Sequence, residues 1–377
     1  MPVSAEFAAE QEALTAKSRG LHLVQFWTSS PEIENQVPRP SPKPYLWRWS
    51  DMRPHLDWAS RAIGVEDAER RSLLFSNPGL GGKYYATQTL LAAYSLYNPG
   101  ETAPVHRHTS CASRFAIAGD GGYTTVNGEK CLMARGDLII TPAGLWHDHG
   151  NDGSEPLIWM DALDLPYVES LNCSLFEFDY FEEVAGSNSH ERVKQTRQTI
   201  RLESGHSEKT YARGGLVPLF GDEARKRGRH SPKYHYSWAA TREALYGMRN
   251  EQGSPYEGII VEYTNPTTGG SVMPNMSFRA QLLRGGEATL PYRDSSSTIY
   301  CALEGKGRTQ VGDVTLEWQE NDVFVAPNWM WRTHTNASPD REAVLYSVSD
   351  MPIIERSGVL RRQAKSANGE LLDLVPF

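Results

Sequence analysis

The chain has 377 residues, 39% hydrophobic and 22% charged, with a formal net charge of −8. That balance describes a soluble globular protein longer than one ordinary domain, and two domains are the natural expectation. The net negative charge argues against a nucleic-acid partner, which would need a concentrated basic surface, and no apolar run approaches the length of a membrane span. The N-terminal stretch MPVSAEFAAEQEALTAKSRG has no basic start or apolar core of a secretory signal, so a cytoplasmic location is expected.

In chain order, residues 1–80 read as a mainly helical N-terminal extension. A Pro-rich loop, PRPSPKP, precedes two segments expected to be helical, YLWRWSDMRPHLDWASRAI and EDAERRSLLFSN. Residues 81–182 read as a first β-domain: Phe115-Ala-Ile, Gly122-Tyr-Thr-Thr-Val, Asp137-Leu-Ile-Ile-Thr and Leu157-Ile-Trp-Met are short apolar runs bounded by turn residues. Residues 183–250 are expected to be a linker over the exterior followed by a helix near Ser237–Met248. The basic run from Arg225 to Arg229 reads as a solvated loop. Residues 251–377 return to the strand rhythm, in Gln310–Trp318 and Val323–Ala326. The four cysteines, Cys111, Cys131, Cys173 and Cys301, have no CxxC spacing and read as reduced.

The first β-domain carries two linked histidine clusters. Five residues separate Gly100 from His106-Arg-His108. After 38 further residues comes His147-Asp-His149-Gly-Asn151, itself preceded by Gly136, Pro142 and Gly144. Residues two apart on a strand face the same way, so His106 and His108 can enter a barrel together and a returning strand can bring His147 beside them. This combined spacing resembles the two motifs of a cupin β-barrel, and three imidazoles suit a first-row transition metal with positions left open for substrate and dioxygen. The window Thr109–Ser113 contains no carboxylate. A divalent ion held by neutral ligands alone keeps its full charge, which favours a chelating acid as substrate.

The pattern recurs in degraded form. Gly286, Tyr292 and Asp294 align on Gly100, His106 and His108 with an offset of 186, while Arg332, His334 and Asn336 align on His147, His149 and Asn151 with an offset of 185. An arginine repels a cation, so the second barrel is expected to be metal-free. The expected architecture is an all-β core, a bicupin of two double-stranded β-helix jelly-roll barrels with N-terminal helical segments.

Other residues share the parity of the ligands. Arg114 should face the interior, where its partner is either a substrate carboxylate or an internal aspartate, Asp161 or Asp164. His149 should enter the cavity without touching metal, to move a proton or hydrogen-bond an oxygen species, or else as a core histidine bonded to the backbone. Trp146 points the other way.

The stretches PGETAPVHRHTSCASRF, GGYTTVNGEK, GDLIITPAGLWHDHGN and EPLIWMDALDLPYV, with WRWSDMRPHLDWA and AERRSLLFSNPGL upstream, closely resemble the gentisate 1,2-dioxygenase family, which includes salicylate and 1-hydroxy-2-naphthoate dioxygenases. The resemblance implies a homotetrameric bicupin that uses Fe(II) and dioxygen for extradiol-type cleavage of an aromatic acid, between the carboxyl-bearing carbon and the adjacent hydroxyl-bearing carbon. It implies His106, His108 and His147 as iron ligands and Arg114 as a carboxylate contact. It places His149 and Asp161 near the site, and suggests Arg70 as a second anion contact, with Arg71 as its neighbour in an uncertain register. Where the family has a glutamine, this chain has Ser95, at a position expected to line the substrate pocket. A substituted salicylate is therefore expected ahead of gentisate or 1-hydroxy-2-naphthoate. A non-catalytic bicupin for storage or small-molecule binding is the reading from a different class, and it would hold no stoichiometric iron.

Overall fold

The structure is a computed structural model that describes residues 5–64, 68, 70–183, 192–211, 216–218 and 229–376. Residues 1–39 form one compact unit, with helices Ala5–Gly20 and Phe26–Ile33. Residues 40–377 form the other, and it consists of two antiparallel β-barrels of the cupin type.

Each barrel is a pair of sheets. In the first barrel a six-stranded sheet runs in the order His235–Tyr236, Leu138–Thr141, Ala112–Ala118, Leu157–Leu163, Leu91–Tyr97, Arg71–Leu74. Facing it is a five-stranded sheet in the order Phe176–Glu177, Thr102–His108, His147–Asn151, Gly122–Val126, Glu129–Met133. The second barrel repeats the plan, with six strands centred on Thr298–Glu304 and Ala343–Ser349 opposite six that include Tyr292–Asp294 and Arg332–Asn336.

The two barrels pack through their six-stranded sheets. Strand Ala112–Ala118 shows why: it is buried on both faces, with Ser113, Phe115 and Ile117 on one side and Ala112, Arg114 and Ala116 on the other. The Phe115 ring stacks on Tyr346 of the second barrel at 3.7 Å, and Leu96, Ile117, Ile158 and Met160 join Ile299, Val323 and Val348 in one apolar core. Polar contacts pin the same seam. Tyr94 donates its hydroxyl proton to the Asn321 carbonyl at 2.6 Å, and Arg135 donates to the Leu303 carbonyl at 2.7 Å.

Segments outside the repeats are built into the sheets. Of the first upstream segment, Tyr45–Trp47 is a strand that pairs with Val323–Ala326 of the second barrel, and only Trp49–Ala62 is helical. The second upstream segment, expected as a helix, supplies instead the strand Arg71–Leu74, paired with Leu91–Tyr97. The unpaired edge of that sheet satisfies its backbone groups by adding this strand, and such pairing outweighs the helical propensity of a short polar run.

The segment after the first barrel is not wholly exterior. Gln198 is buried, its side-chain carbonyl accepting from Gly128 N–H and its amide donating to the Thr125 carbonyl, while Asp148 accepts from the Gln198 N–H at 2.9 Å. Ser207 donates both its N–H and its hydroxyl to buried Glu129. Two barrel carboxylates thus draw polar partners out of the segment, because a buried carboxylate without hydrogen bonds is costly. Most of the basic run, 225–228, lies outside the described residues. The helix after the segment runs over Trp238–Gly247, with the Ser237 hydroxyl accepting from Ala240 N–H. All four cysteines are free thiols.

His235 fastens this segment to the first barrel. Its Nε2 lies 2.9 Å from Asp137 and its Nδ1 3.0 Å from Glu208, so two acceptor-only carboxylates require a proton on each ring nitrogen. Burial opposes that charge, but the two carboxylates outweigh it and raise the His235 pKa from 6.5 to about 9. A group whose pKa is raised on folding stabilises fully below its unfolded pKa and loses that contribution as pH rises through the folded value. The stability difference between wild type and His235→Gln, measured by urea unfolding, should therefore be largest near pH 6.5 and shrink steadily towards pH 9.5.

Candidate metal centre

His106, His108, His147 and His149 converge on the interior of the first barrel, and all four are buried. His106 and His108 project inward from Thr102–His108. A bulge between Ala103 and His106 brings His106 directly opposite His147 on the neighbouring strand. Ring centroids are 4.3 Å apart for His106 and His147, 4.8 Å for His108 and His147, and 5.4 Å for His147 and His149. Side-chain nitrogens of His106, His147 and His149 lie within 4.8 Å of one another, so proximity alone does not single out the expected trio.

Hydrogen bonding distinguishes the four rings only at Nδ1. His106 Nδ1 is 2.9 Å from the Pro104 carbonyl, His108 Nδ1 is 2.7 Å from the Ser110 carbonyl, and His147 Nδ1 is 2.9 Å from the Leu145 carbonyl. A carbonyl only accepts, so in each ring Nδ1 carries the proton and Nε2 presents a bare lone pair. All three Nε2 atoms, and that of His149 as well, are buried without a hydrogen-bond partner, a donor set that suits a transition metal. His149 differs. Its Nδ1 meets the Thr124 hydroxyl at 3.0 Å, and a hydroxyl can give or take a proton, so either tautomer is available to it.

The imidazoles are neutral at physiological pH. Burial is the main cause, lowering His106 to about 2 and His108 to about 3, with the positive charges of Arg70 and Arg114 adding to the effect. His147 and His149 are held well below the usual histidine range, again by burial first. A neutral imidazole is the form that ligates.

Arg114 reaches the same interior and is 1% exposed. Burial lowers its pKa to about 10, against the opposing charge of Asp161. Its Nε lies 3.3 Å from Asp161 Oδ1 and its Nη1 donates to the Thr141 hydroxyl. The internal ion pair weighed from sequence therefore forms with Asp161. Asp164 does not take part: it accepts from Cys111 N–H and Asn275. The two upstream arginines also separate. Arg71 is buried and pairs with Glu101, whereas the charge of half-buried Arg70 acts on His106, His108, His149 and Arg114.

Several contributors escaped the sequence reading. Phe176 stands 5.0 Å from the His108 ring and Phe178 5.9 Å from the His106 ring, both from a strand and loop with no motif of their own. Trp159, stacked on Tyr97, lies 5.7 Å from His149. Thr141 carried one usable signal, being the last residue of a strand directly before Pro142. Ser95 is fully buried, and its hydroxyl donates to Asp161. Trp146 packs away from the site, beneath Arg107 and beside Tyr180.

In the second barrel, Arg332 donates to Asp294 Oδ2 at 2.7 Å and lies 4.2 Å over the Tyr292 ring. All three residues are buried. A guanidinium thus takes the His147 position and closes an ion pair with the residue at the His108 position. The Thr124–His149 pair nevertheless has a counterpart in Thr309 and His334, 2.9 Å apart.

Residues 93–163, which hold all four histidines, match the family model described as Cupin domain. The chain is 36% identical to a 5-aminosalicylate 1,2-dioxygenase of Comamonas sp, over 96% of this chain and 92% of that one. It is 35% identical to gentisate 1,2 dioxygenase 1 of Aquipseudomonas alcaligenes, over 93% and 96%. The solved structure of salicylate 1,2-dioxygenase from Pseudaminobacter salicylatoxidans superposes with a TM-score of 0.82 at 30% identity, covering 97% of this chain and 99% of that one. The chain belongs to the gentisate/salicylate 1,2-dioxygenase family. It is an aromatic ring-cleaving dioxygenase, which removes the storage reading.

Substitution separates the four interior histidines of this dioxygenase experimentally. His106→Ala, His108→Ala and His147→Ala should each lose tightly bound divalent metal, measured by elemental analysis after dialysis, while His149→Ala should retain it. Metal retained in His108→Ala and lost in His149→Ala would transfer the third ligand role to His149.

Proposed function

We propose that the protein is an Fe(II)-dependent, extradiol-type dioxygenase that opens a ring-substituted salicylate between the carboxyl-bearing carbon and the adjacent hydroxyl-bearing carbon. One observation carries this reading: three neutral, ligand-form imidazoles lie beside buried Arg114, while the interior aspartate Asp161 is already engaged by Arg114. A cation held there keeps its charge and, with Arg114 and Arg70, favours an anionic chelating acid.

His106, His108 and His147 would hold iron, which supplies the electronic link between an electron-rich aromatic acid and dioxygen. The protein's own part is positioning. Arg114, held at Nε by Asp161 and at Nη1 by Thr141, retains N–H groups on Nη1 and Nη2 to grip a carboxylate, and Arg70 adds a second positive charge. Buried Trp159 and the more exposed Phe176 and Phe178 border the histidines with apolar surface that suits a flat ring. His149, with either tautomer open to it, donates a hydrogen bond or transfers a proton at Nε2.

Two facts favour a substituted salicylate over gentisate. The Ser95 hydroxyl has a single proton and gives it to Asp161, so it has none for a ring hydroxyl. A site without that donor leaves a second ring hydroxyl poorly satisfied. The relative named for 5-aminosalicylate supports the same choice.

Purified, reconstituted protein should bind about one iron per chain, because Arg332 and Asp294 close the second barrel's ligand positions; two tightly bound equivalents would show that barrel to be a metal site. Oxygen uptake should give a higher kcat/KM for 5-aminosalicylate or another 5-substituted salicylate than for gentisate or 1-hydroxy-2-naphthoate, and a clear preference for gentisate defeats the assignment. Arg114→Ala should lower kcat/KM by the loss of a buried charge-assisted contact, about 1.5–3 kcal/mol, while iron content stays unchanged. Wild-type kinetics in that variant would leave Arg114 as a structural ion-pair partner only.

A further inference from the structure

Asp161 is held from behind by two serines. Ser95 Oγ donates to Asp161 Oδ2, and Ser72 Oγ lies 2.6 Å from Ser95 Oγ. Counting protons sets the direction of this chain. The Asp161 carboxylate, the partner of the Arg114 guanidinium, only accepts, so the single Ser95 proton must go to it. Ser95 oxygen is then the acceptor for Ser72, which must donate. Ser72 and Ser95 are opposite one another in the register of their strands, Trp159 is opposite Ser95, and Asp161 is opposite Arg114. The relay therefore crosses four neighbouring strands of one sheet.

Its geometric effect falls on Arg114. With Oδ2 tied to Ser95, the Asp161 carboxylate cannot turn about its bond to the chain without breaking a buried hydrogen bond, and Oδ1 stays in its ion pair with Arg114, 3.3 Å from Nε and without a hydrogen bond to it. Thr141 fixes Nη1 from the other side. The guanidinium then presents its Nη1/Nη2 end edge in one orientation.

We propose that Ser72 is a positioning residue for the substrate carboxylate, acting through Ser95 and Asp161 to set the orientation of Arg114. This rests on the reading of Arg114 as the carboxylate contact. It also adds to the part of Ser95 in the pocket wall: its hydroxyl braces the carboxylate-binding arginine and has no proton left for the ring.

The test uses full-length, iron-loaded protein and salicylate as the probe, with its dissociation constant measured anaerobically so that no turnover is needed. Ser72→Ala should weaken salicylate binding roughly three- to tenfold, the range of one neutral hydrogen bond, with iron content unchanged. Ser72→Thr, which keeps the hydroxyl and suits a strand, should restore it. In an Arg114→Ala background, Ser72→Ala should have no further effect. An unchanged constant in Ser72→Ala, or an equal loss with and without Arg114, would overturn the relay. Crystal structures of Ser72→Ala and Ser95→Ala give a readout independent of the substrate assignment: the Asp161 carboxylate should rotate and Arg114 shift. If wild type binds no salicylate, the functional reading fails, and the relay stands or falls on whether Asp161 and Arg114 move in those structures.

Discussion

The site depends on three hydrogen bonds from imidazole Nδ1 to backbone carbonyls, those of Pro104, Ser110 and Leu145. Each carbonyl lies two residues from its histidine, so the local backbone that places the ring also dictates its tautomer. Burial then keeps the rings neutral. The Nε2 atoms of these three rings, like that of His149, are desolvated and unpaired, a cost that a bound ligand would offset.

The second barrel shows what the fold does without that demand. At the same places it carries Tyr292, Asp294 and Arg332, and the interior satisfies itself through a buried ion pair and a ring contact. Its outer face supplies half of the apolar seam against the first barrel, including the Phe115–Tyr346 stack. Because Phe115 and Arg114 are neighbours on one strand, the seam that joins the barrels also fixes the strand bearing the arginine that faces the histidines.

Charge around the histidines is arranged in one sense. Arg114 and Arg70 bring positive potential, and the interior carboxylate that pairs with Arg114, Asp161, is also bound by Ser95. An ion held by imidazoles alone would add to that potential. Aromatic edges from Phe176 and Phe178 close on two of the histidines, and both come from the chain that leaves the first barrel.

The architecture, the repeat and the convergence of the histidines were legible because strand periodicity is strict: parity turns His106 with His108, and His147 with His149, to one face, and the offset of 185–186 residues exposes the second barrel. Arg114, counted from sequence on the same strand as His106 and His108, lies instead past a bend on Ala112–Ala118 in the facing sheet, so its inward direction comes from that strand's own pairing and not from the parity of the ligands. The same parity sent Trp146 outward. What sequence left open were matters of pairing across distance. Whether Arg114 meets Asp161 or Asp164, whether Arg70 or Arg71 reaches the histidines, and what Ser95 touches depend on which strands are neighbours and in what register. The strand Arg71–Leu74 was taken for helix because a short run of mixed residues has no periodicity of its own, and only the exposed edge of Leu91–Tyr97 determines its conformation. Sequence therefore decided which residue types face the interior, since that follows from local geometry. The tertiary structure decided which of them hold one another, since hydrogen bonds and ion pairs are made between strands far apart in the chain.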